Sequence, residues 1–420
     1  MHFHVKKYGL SILVGIALCS ALFVGCDDSN NEEVVAPDTT SGTLEISDLV
    51  MQPGGDASKM NFCWYSTDTT TSEVQIALES QMVGTNFPLS SAITYTGTIA
   101  TSNGYISNKV TVENLNENTD YVYRVGDGTH FSDIYTLSTY DKSDYHFIYV
   151  GDPQMGSSGD ITSDEEGWQA TLTQALTTFP ETSFILGVGD QVNSDDNEDQ
   201  YAAFLRPAEL SSIPFTAAVG NHDVGTLYQY HYNVPNASTK YGTTDAEGDG
   251  DYAFTYGPAL FMVLNSNNTS GLSHEEFIKE VSDAYAHDDT IIWKIVVLHH
   301  SIYSSARHSD DSSIITRRSD FYPIFDKYNI DVVMMGHDHV YTRSYQMLGD
   351  EAQKNQTVNA DGAVVNPTGT LYVTSNSASG SKYYDFEEND TAYRAVRWQG
   401  YEPSYSNVQM RALWIICRDS

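Results

Sequence analysis

The sequence predicts two folded parts in series: an all-β sandwich over residues 42–140, then an α/β domain over residues 145–420 with mixed sheets flanked by helices. Three observations carry this prediction. Between Gly42 and Tyr140, short runs such as KMNFCWYS, SEVQIALES and KVTVENL alternate polar and apolar residues without a helical period. From Tyr145 onward the apolar runs become continuous: HFIYVGD, SFILGVGD, PFTAAVGNHD, WKIVVLHH and IDVVMMGHDH. Strands read this way when both of their faces are buried. Segments with apolar residues at helical spacing lie between several of these runs, so the sheets are expected to be covered by helices.

Taken in order, residues 1–25 read as an export leader outside the fold. Lys6 and Lys7 precede the apolar run YGLSILVGIALCSALFVG. Val24-Gly25-Cys26 resembles a bacterial lipoprotein cleavage box, which implies lipidation of Cys26 and tethering at a membrane surface, facing the periplasm or exterior. Residues 26–41 are polar and acidic and read as a flexible tether. Within the sandwich, LNENTDYVYRVG (Leu115–Gly126) resembles the tyrosine corner and following strand of fibronectin type III-like domains. In the α/β part, Glu165–Phe179 carries Trp168, Leu172, Ala175, Leu176 and Phe179 on one face; Glu275–Tyr285 and Thr316–Tyr328 are two more helices. DYAFTYGPALFMVLNSN reads as an antiparallel hairpin turning at Gly257-Pro258, and Tyr228–Asp251 as a loop over one end. Leu413–Ile416 reads either as a final buried strand or as an altered tail.

Composition narrows the function. With 21 basic and 56 acidic residues, a formal net charge of −35, the surface is unsuited to nucleic acid, which needs clustered Lys and Arg. It also repels anionic substrates, so phosphate chemistry would need strong local positive charge, as metal ions provide. Of the four cysteines, Cys19 and Cys26 belong to the leader and lipid site; Cys63 and Cys417 cannot form a disulfide framework. A large apolar core must hold the fold.

Ligands gather beyond the carboxyl ends of strands in α/β sheets. The strand ends here carry Asp152, Asp190, the Asn221-His222-Asp223 run, His299 with His300, and His337 with His339. Each alone suits a turn or a helix cap, but five such ends at one edge predict a metal centre. His337 and His339 would share a side if their backbone were extended.

The ordered blocks GD (151–152), GD (189–190), GNHD, VVLH and GHDH resemble those of calcineurin-like metallophosphoesterases. Preceded by a β-sandwich, the set looks like purple acid phosphatases and their bacterial relatives, over about Gly42 to Ser377. That resemblance implies two metal ions, drawn from Fe, Zn, Mn or Mg. Asp190 would bridge them, Asp152 and His339 would serve the first, and Asn221, His299 and His337 the second. It implies hydrolysis of phosphorylated small molecules by a metal-bound hydroxide. His222 would contact the phosphate and assist proton transfer, and His308 would protonate the leaving oxygen.

Arg307 would pair with a phosphate oxygen or lie solvated. Asp223 would orient a ligand. Gln154 would fill a coordination position, orient a water or form an ordinary turn. Asn193 stands where the purple enzymes carry a tyrosine, so no purple colour is expected. His300, His231 and His274 fall outside the blocks and are read as structural, and Tyr341 and Arg343 as packing residues. Two other readings remain: phosphodiester or nucleotide hydrolysis at the same centre, and a catalytically weak cell-surface binding lipoprotein.

Overall fold

The continuous apolar runs of the C-terminal part pair into two sheets that face each other. The computed structural model describes residues 2–6, 45–245, 248–360, 362–388, 391–412 and 414–419. The first sheet runs Phe215–Ala217, Thr182–Gly187, Asp144–Val150, Ser406–Arg411, Trp414–Asp419, His2–Lys6, Ala363–Val365. The second runs Tyr252–Tyr256, Ala259–Leu264, Trp293–Leu298, Val332–Met335, Thr370–Thr374, Tyr341–Leu348, Glu351–Ala352, with Arg394–Trp398 also paired to Tyr341–Leu348. In both, the strands that precede the candidate site residues are parallel.

Between the sheets, Phe147, Tyr149, Phe184 and Leu186 meet Phe254, Phe261, Ile295 and Val297. On the far side of the first sheet, Trp168, Leu172, Tyr201 and Phe204 pack on Ile148, Val150 and Ile185. On the far side of the second, Phe277, Ile278, Phe321 and Phe325 pack on Leu260, Met262, Val296 and Val333. The result is four layers, helix, sheet, sheet, helix. Central strands are buried on both faces, which is why they read as unbroken apolar runs.

The three predicted helices are present as Ile161–Thr178, Gly271–Ala284 and Ser312–Tyr328. Each starts four residues before the apolar period alone suggests, and in the first two a side-chain cap sets the start. Asp160 accepts the N–H of Thr162 and Ser163 at 3.1 and 3.3 Å, and Ser270 accepts that of Ser273 at 3.2 Å. A fourth helix, Glu198–Leu205, went unread: eight residues are too few for a periodic signal, although Tyr201 and Phe204 are buried. The hairpin at Gly257-Pro258 forms as expected. The last strand, Trp414–Asp419, pairs with Ser406–Arg411 and buries Ile415 and Ile416, as the buried-strand reading expects.

The N-terminal part forms two four-stranded antiparallel sheets around Phe62, Trp64, Val74, Ile76, Tyr123 and Val125. Tyr121 Oη accepts the Asn116 N–H at 2.8 Å, closing the corner seen in the sequence.

His2–Lys6, the start of the predicted leader, pairs with Trp414–Asp419 and Ala363–Val365. The remainder of the leader, Cys26 and the acidic tether lie outside the described residues. One expectation needs correction. The Tyr228–Asp251 segment is not simply a loop over one end, because its first part stitches the two domains together. Ser107 Oγ donates to Tyr230 O at 2.6 Å, Asn61 Nδ2 to Asn233 O at 2.7 Å, and Asn233 N to Gln52 Oε1 at 2.6 Å. Among the described residues no helix is long and apolar enough to cross a membrane.

Candidate metal centre

Asp152, Asp190 and Asn221 follow strands of the first sheet, and His299, His337 and His339 follow strands of the second. Oxygen donors therefore approach from one sheet and imidazoles from the other. Four of these residues turn sharply as they leave their strands, with φ of 50° at Asp152, 52° at Asp190, 72° at His337 and 45° at His339. Such left-handed backbone costs a non-glycine residue about 1–2 kcal/mol and persists only where the surroundings hold it. His337 and His339 thus do not share a side through extended backbone. The turn aims them at different partners.

Backbone and glycines hold the turns. Asp223 is buried, and its Oδ2 accepts the N–H of Asp190 at 2.7 Å and of Gly220 at 2.8 Å. Its Oδ1 accepts those of Gln191 at 3.0 Å and Val192 at 3.3 Å. The His337 N–H donates to both oxygens of Asp152, at 2.9 and 3.0 Å. The glycines of GNHD and GHDH permit close approach: a Cβ on Gly220 would lie 2.1 Å from Asp190 Oδ1, and one on Gly336 2.6 Å from Asp152 Oδ2.

The donor atoms meet around His299 Nε2. It lies 3.3 Å from Asp190 Oδ2, 3.0 Å from Asn221 Oδ1 and 3.2 Å from His337 Nδ1. His299 Nδ1 donates to Val188 O at 2.9 Å, which turns Nε2 toward this group. Beside it, His339 Nε2 lies 3.5 Å from Asp152 Oδ1, while His339 Nδ1 donates to Lys382 O at 2.8 Å. Fixing one ring nitrogen on a carbonyl is how histidine ligands are oriented.

Electrostatics in this group is short of positive charge. Burial first, then the neighbouring Asp190, pushes Asp152 far above the usual carboxylate range and Asp223 to about 7. Burial would raise Asp190 as well, but His299 outweighs it and holds that carboxyl low. Burial works against a charge on His299, yet Asp190 lifts it to about 9. Burial depresses His339 to about 4 and His337 well below the usual imidazole range.

The remaining expected residues are placed as follows. The His222 N–H donates to Asp190 Oδ1 at 2.9 Å, and its Nδ1 to Asn193 O at 2.8 Å, which leaves Nε2 for a ligand. Gln154 (φ 42°) reaches Asn193 Oδ1 through Nε2 at 3.4 Å, and its buried Oε1 has no partner among the described residues. His308 packs on His337 with ring centres 4.6 Å apart and donates from Nδ1 to Asp311 at 2.7 Å. Arg307 is exposed beside it. His300 packs on His337 at 4.7 Å and pairs with Ser266 Oγ at 2.8 Å; burial, then His299, keeps it neutral.

Sequence reasoning passed over Asp338, although it sits inside GHDH. Its carboxylate accepts the hydroxyl of Ser304, the Ala306 N–H at 3.2 Å and the His308 N–H at 2.9 Å. Tyr384 was also missed, and no motif signals it. Its ring meets His339 at 5.1 Å and His308 at 5.2 Å.

Among the described residues, two groups of donors are close enough to hold an ion. One is Asp190, His299 and His337; the other is Asp48, Glu198 and His231, at the domain junction. In the second, His231 Nε2 lies 2.9 Å from Glu198 and Nδ1 3.8 Å from Asp48. A carboxylate at each edge of one ring is an ion-pair arrangement rather than a ligand cage.

A family profile described as calcineurin-like phosphoesterase matches residues 129–341, and one for the purple acid phosphatase N-terminal domain matches residues 47–139. The chain belongs to the calcineurin-like phosphoesterase family. It is 26% identical over 350 residues to an uncharacterised protein of Mycobacterium tuberculosis, covering 74% of this chain and 64% of that one. It is 27% identical over 254 residues to purple acid phosphatase 1 of Ipomoea batatas, covering 56% of this chain and 51% of that protein. Over 228 residues it is 25% identical to the human serine/threonine-protein phosphatase CPPED1, covering 47% and 70%. The chain thus spans less than two thirds of the length of the mycobacterial and plant relatives. Among solved structures, purple acid phosphatase PPD1 of yellow lupin shares the fold, with TM-score 0.64, 17% identity, and 87% of this chain and 70% of that one covered. PhoD aligns at TM-score 0.52 with 10% identity, covering 91% and 86%.

The family implies metal ions, and this chain's donor set suits them. Carboxylate, amide and imidazole ligands without thiolate match hard-to-borderline cations. Asp152, Asp190 and Asp223 lie buried together, and a cation relieves both their repulsion and the crowding of lone pairs at His299.

Proposed function

We propose that the protein hydrolyses phosphate esters of small molecules at a centre of two metal ions. Asp152 and His339 would hold one ion, Asn221, His299 and His337 the other, with Asp190 shared. The observation that supports this most is the meeting of Asp190, Asn221 and His337 at His299 Nε2, within 3.0–3.3 Å. When bound, such ions neutralise phosphoryl oxygens and acidify a water molecule.

The chain's own residues would do the rest. His222, fixed by the Asn193 carbonyl, presents Nε2 to a phosphoryl oxygen. His308, held through its backbone by Asp338, delivers a proton to the leaving oxygen. Water adds its oxygen to phosphorus, and the ester oxygen leaves with the bond pair and takes up the proton. Cys63 is buried against Tyr230 O and Ser107 and is no nucleophile.

Metal content and p-nitrophenyl phosphate hydrolysis test this reading. Chelation and His339→Ala should each abolish turnover; near wild-type hydrolysis by His339→Ala would overturn it. The leader and Cys26 support an exported, lipid-tethered location, checked by loss of fatty-acid labelling in Cys26→Ser.

A further inference from the structure

The carbonyl that fixes His222 belongs to the peptide unit between Asn193 and Ser194. The other edge of that unit is held by Gln200, which the centre does not otherwise use. Gln200 Oε1 accepts the Ser194 N–H at 2.8 Å and the Asn193 N–H at 2.9 Å. The Asn193 carbonyl takes the Nδ1–H of His222 at 2.8 Å. A peptide unit is planar and trans, so its N–H and C=O point to opposite sides and turn together. An acceptor on the N–H therefore sets the direction in which the carbonyl meets His222. It also polarises the unit, which makes the carbonyl a better acceptor.

The backbone pairing that steadies this stretch ends just before it. The Gln154 N–H donates to Asp190 O at 2.8 Å and the Met155 N–H to Gln191 O at 3.1 Å. The Asn193 N–H, shared with Gln200, reaches Met155 O at 3.0 Å. At Ser194 a side chain takes over as acceptor. Gln200 is buried, and its own place is fixed. It lies in the first turn of the helix Glu198–Leu205, where Asn197 Oδ1 caps its N–H at 3.2 Å. Gly156, at φ 94°, leaves room for its amide: a Cβ there would lie 2.4 Å from Gln200 Nε2. The same helix is clamped at the domain junction, where Glu198 bonds His231 at 2.9 Å and Tyr201 stacks on that ring at 4.2 Å.

We propose that Gln200 is a positioning residue for His222, acting through the Asn193–Ser194 peptide. This rests on the hydrolytic reading above, in which His222 Nε2 meets a phosphoryl oxygen. Gln200 itself touches no substrate. Its oxygen fixes one peptide, that peptide fixes Nδ1, and the ring is left with Nε2 aimed at the phosphoryl group. Loss of the acceptor frees the peptide to rotate, and His222 then loses its partner. The metal ligands are spared, because Asp190 has its own brace in Asp223 at 2.7 Å and His299 has one in Val188 O at 2.9 Å.

The test is a double-mutant cycle with His222→Ala at matched metal content. Gln200→Met removes the acceptor at nearly constant volume, Gln200→Asn withdraws it by one methylene, and Gln200→Glu keeps it. With His222 present, Gln200→Met and Gln200→Asn should lower kcat/KM for p-nitrophenyl phosphate by about ten- to a hundred-fold, the range for groups that orient a functional side chain. In the His222→Ala background the same changes should alter it by about two-fold or less, because the group they act through is gone. Gln200→Glu should recover most of the rate. Should Gln200→Met fail to fold, Gln200→Asn carries the same comparison. Equal losses in both backgrounds would mark a purely structural residue and overturn the proposal, as would a wild-type rate in Gln200→Met. If wild type hydrolyses no phosphate compound, the function proposed above fails, and the same cycle is read by calorimetric binding of inorganic phosphate. Weakening confined to the protein that retains His222 then supports the role of Gln200; equal weakening in both backgrounds, or no phosphate binding by wild type, overturns it.

Discussion

Asp223→Asn probes the support of the candidate centre with almost no change of shape. Asp223 has two oxygens, each accepting two backbone N–H groups: Asp190 and Gly220 on one, Gln191 and Val192 on the other. The amide keeps one acceptor and turns an NH2 toward the other two donors. Hydrogen bonds to a charged group contribute about 1.5–3 kcal/mol each, so two lost bonds cost roughly 3–6 kcal/mol. One effect opposes this. Burial and Asp190 push Asp223 to about 7, so a neutral side chain relieves repulsion. A rise from 3.8 to about 7 corresponds to about 4 kcal/mol, so the two effects nearly offset in stability and metal affinity is the quantity that discriminates. Freed of its anchor, the strained turn at Asp190 relaxes and its carboxylate moves from His299. Metal affinity should then fall by about ten- to a hundred-fold, as for other ligand-orienting groups. Urea unfolding and element-resolved metal analysis measure both effects. Metal content retained at the wild-type level would show that the turn supports itself and refute the reasoning.

Three further outcomes are expected. His274 is buried, with Nδ1 2.7 Å from Asp251 Oδ2 and Nε2 2.9 Å from Asn268 O; both partners accept, so the ring carries two protons. Burial opposes that charge, but Asp251 prevails and raises the pKa above 6.5, so its stabilisation is complete below about 6.5 and fades as pH rises through the folded value. His274→Gln should therefore cost about 3–5 kcal/mol at low pH and less in alkali, and a pH-independent loss in denaturation curves would contradict this. Asp338→Ala releases the His308 backbone and should lower aryl phosphate kcat about ten-fold or more without loss of metal; an unchanged kcat would remove the positioning role. His231 lies between Tyr201 and Tyr65 at ring distances of 4.2 and 4.5 Å and bonds Glu198. His231→Ala should destabilise the chain by about 2–4 kcal/mol and expose the domain junction to limited proteolysis. Unaltered melting and cleavage would show the junction does not depend on it.

What could be read beforehand had a local cause. Strands buried on both faces must be apolar throughout, so IDVVMMG and WKIVVL declared themselves. Trp168, Leu172 and Ala175 share one helical face, so that helix did too. The polar residues at the strand ends stood out against those runs. Helix Glu198–Leu205 was too short to show a period, and the segment after Tyr228 is defined by partners as distant as Ser107 and Asn61. Asp338 lay within a visible block, yet its acceptor role depends on Ser304, Ala306 and His308, about thirty residues away.

By itself, the sequence determined the alternation of buried strands with helices, the family blocks and the chemical types of the donors. Burial pattern and turn chemistry act over a few residues and are written in the chain. Only the tertiary structure decided that His337 faces His299 while His339 faces Asp152, and that Asp223 braces the turn at Asp190. Such arrangements depend on left-handed turns and on contacts between strands far apart in the chain, and no local pattern of side chains encodes those distances.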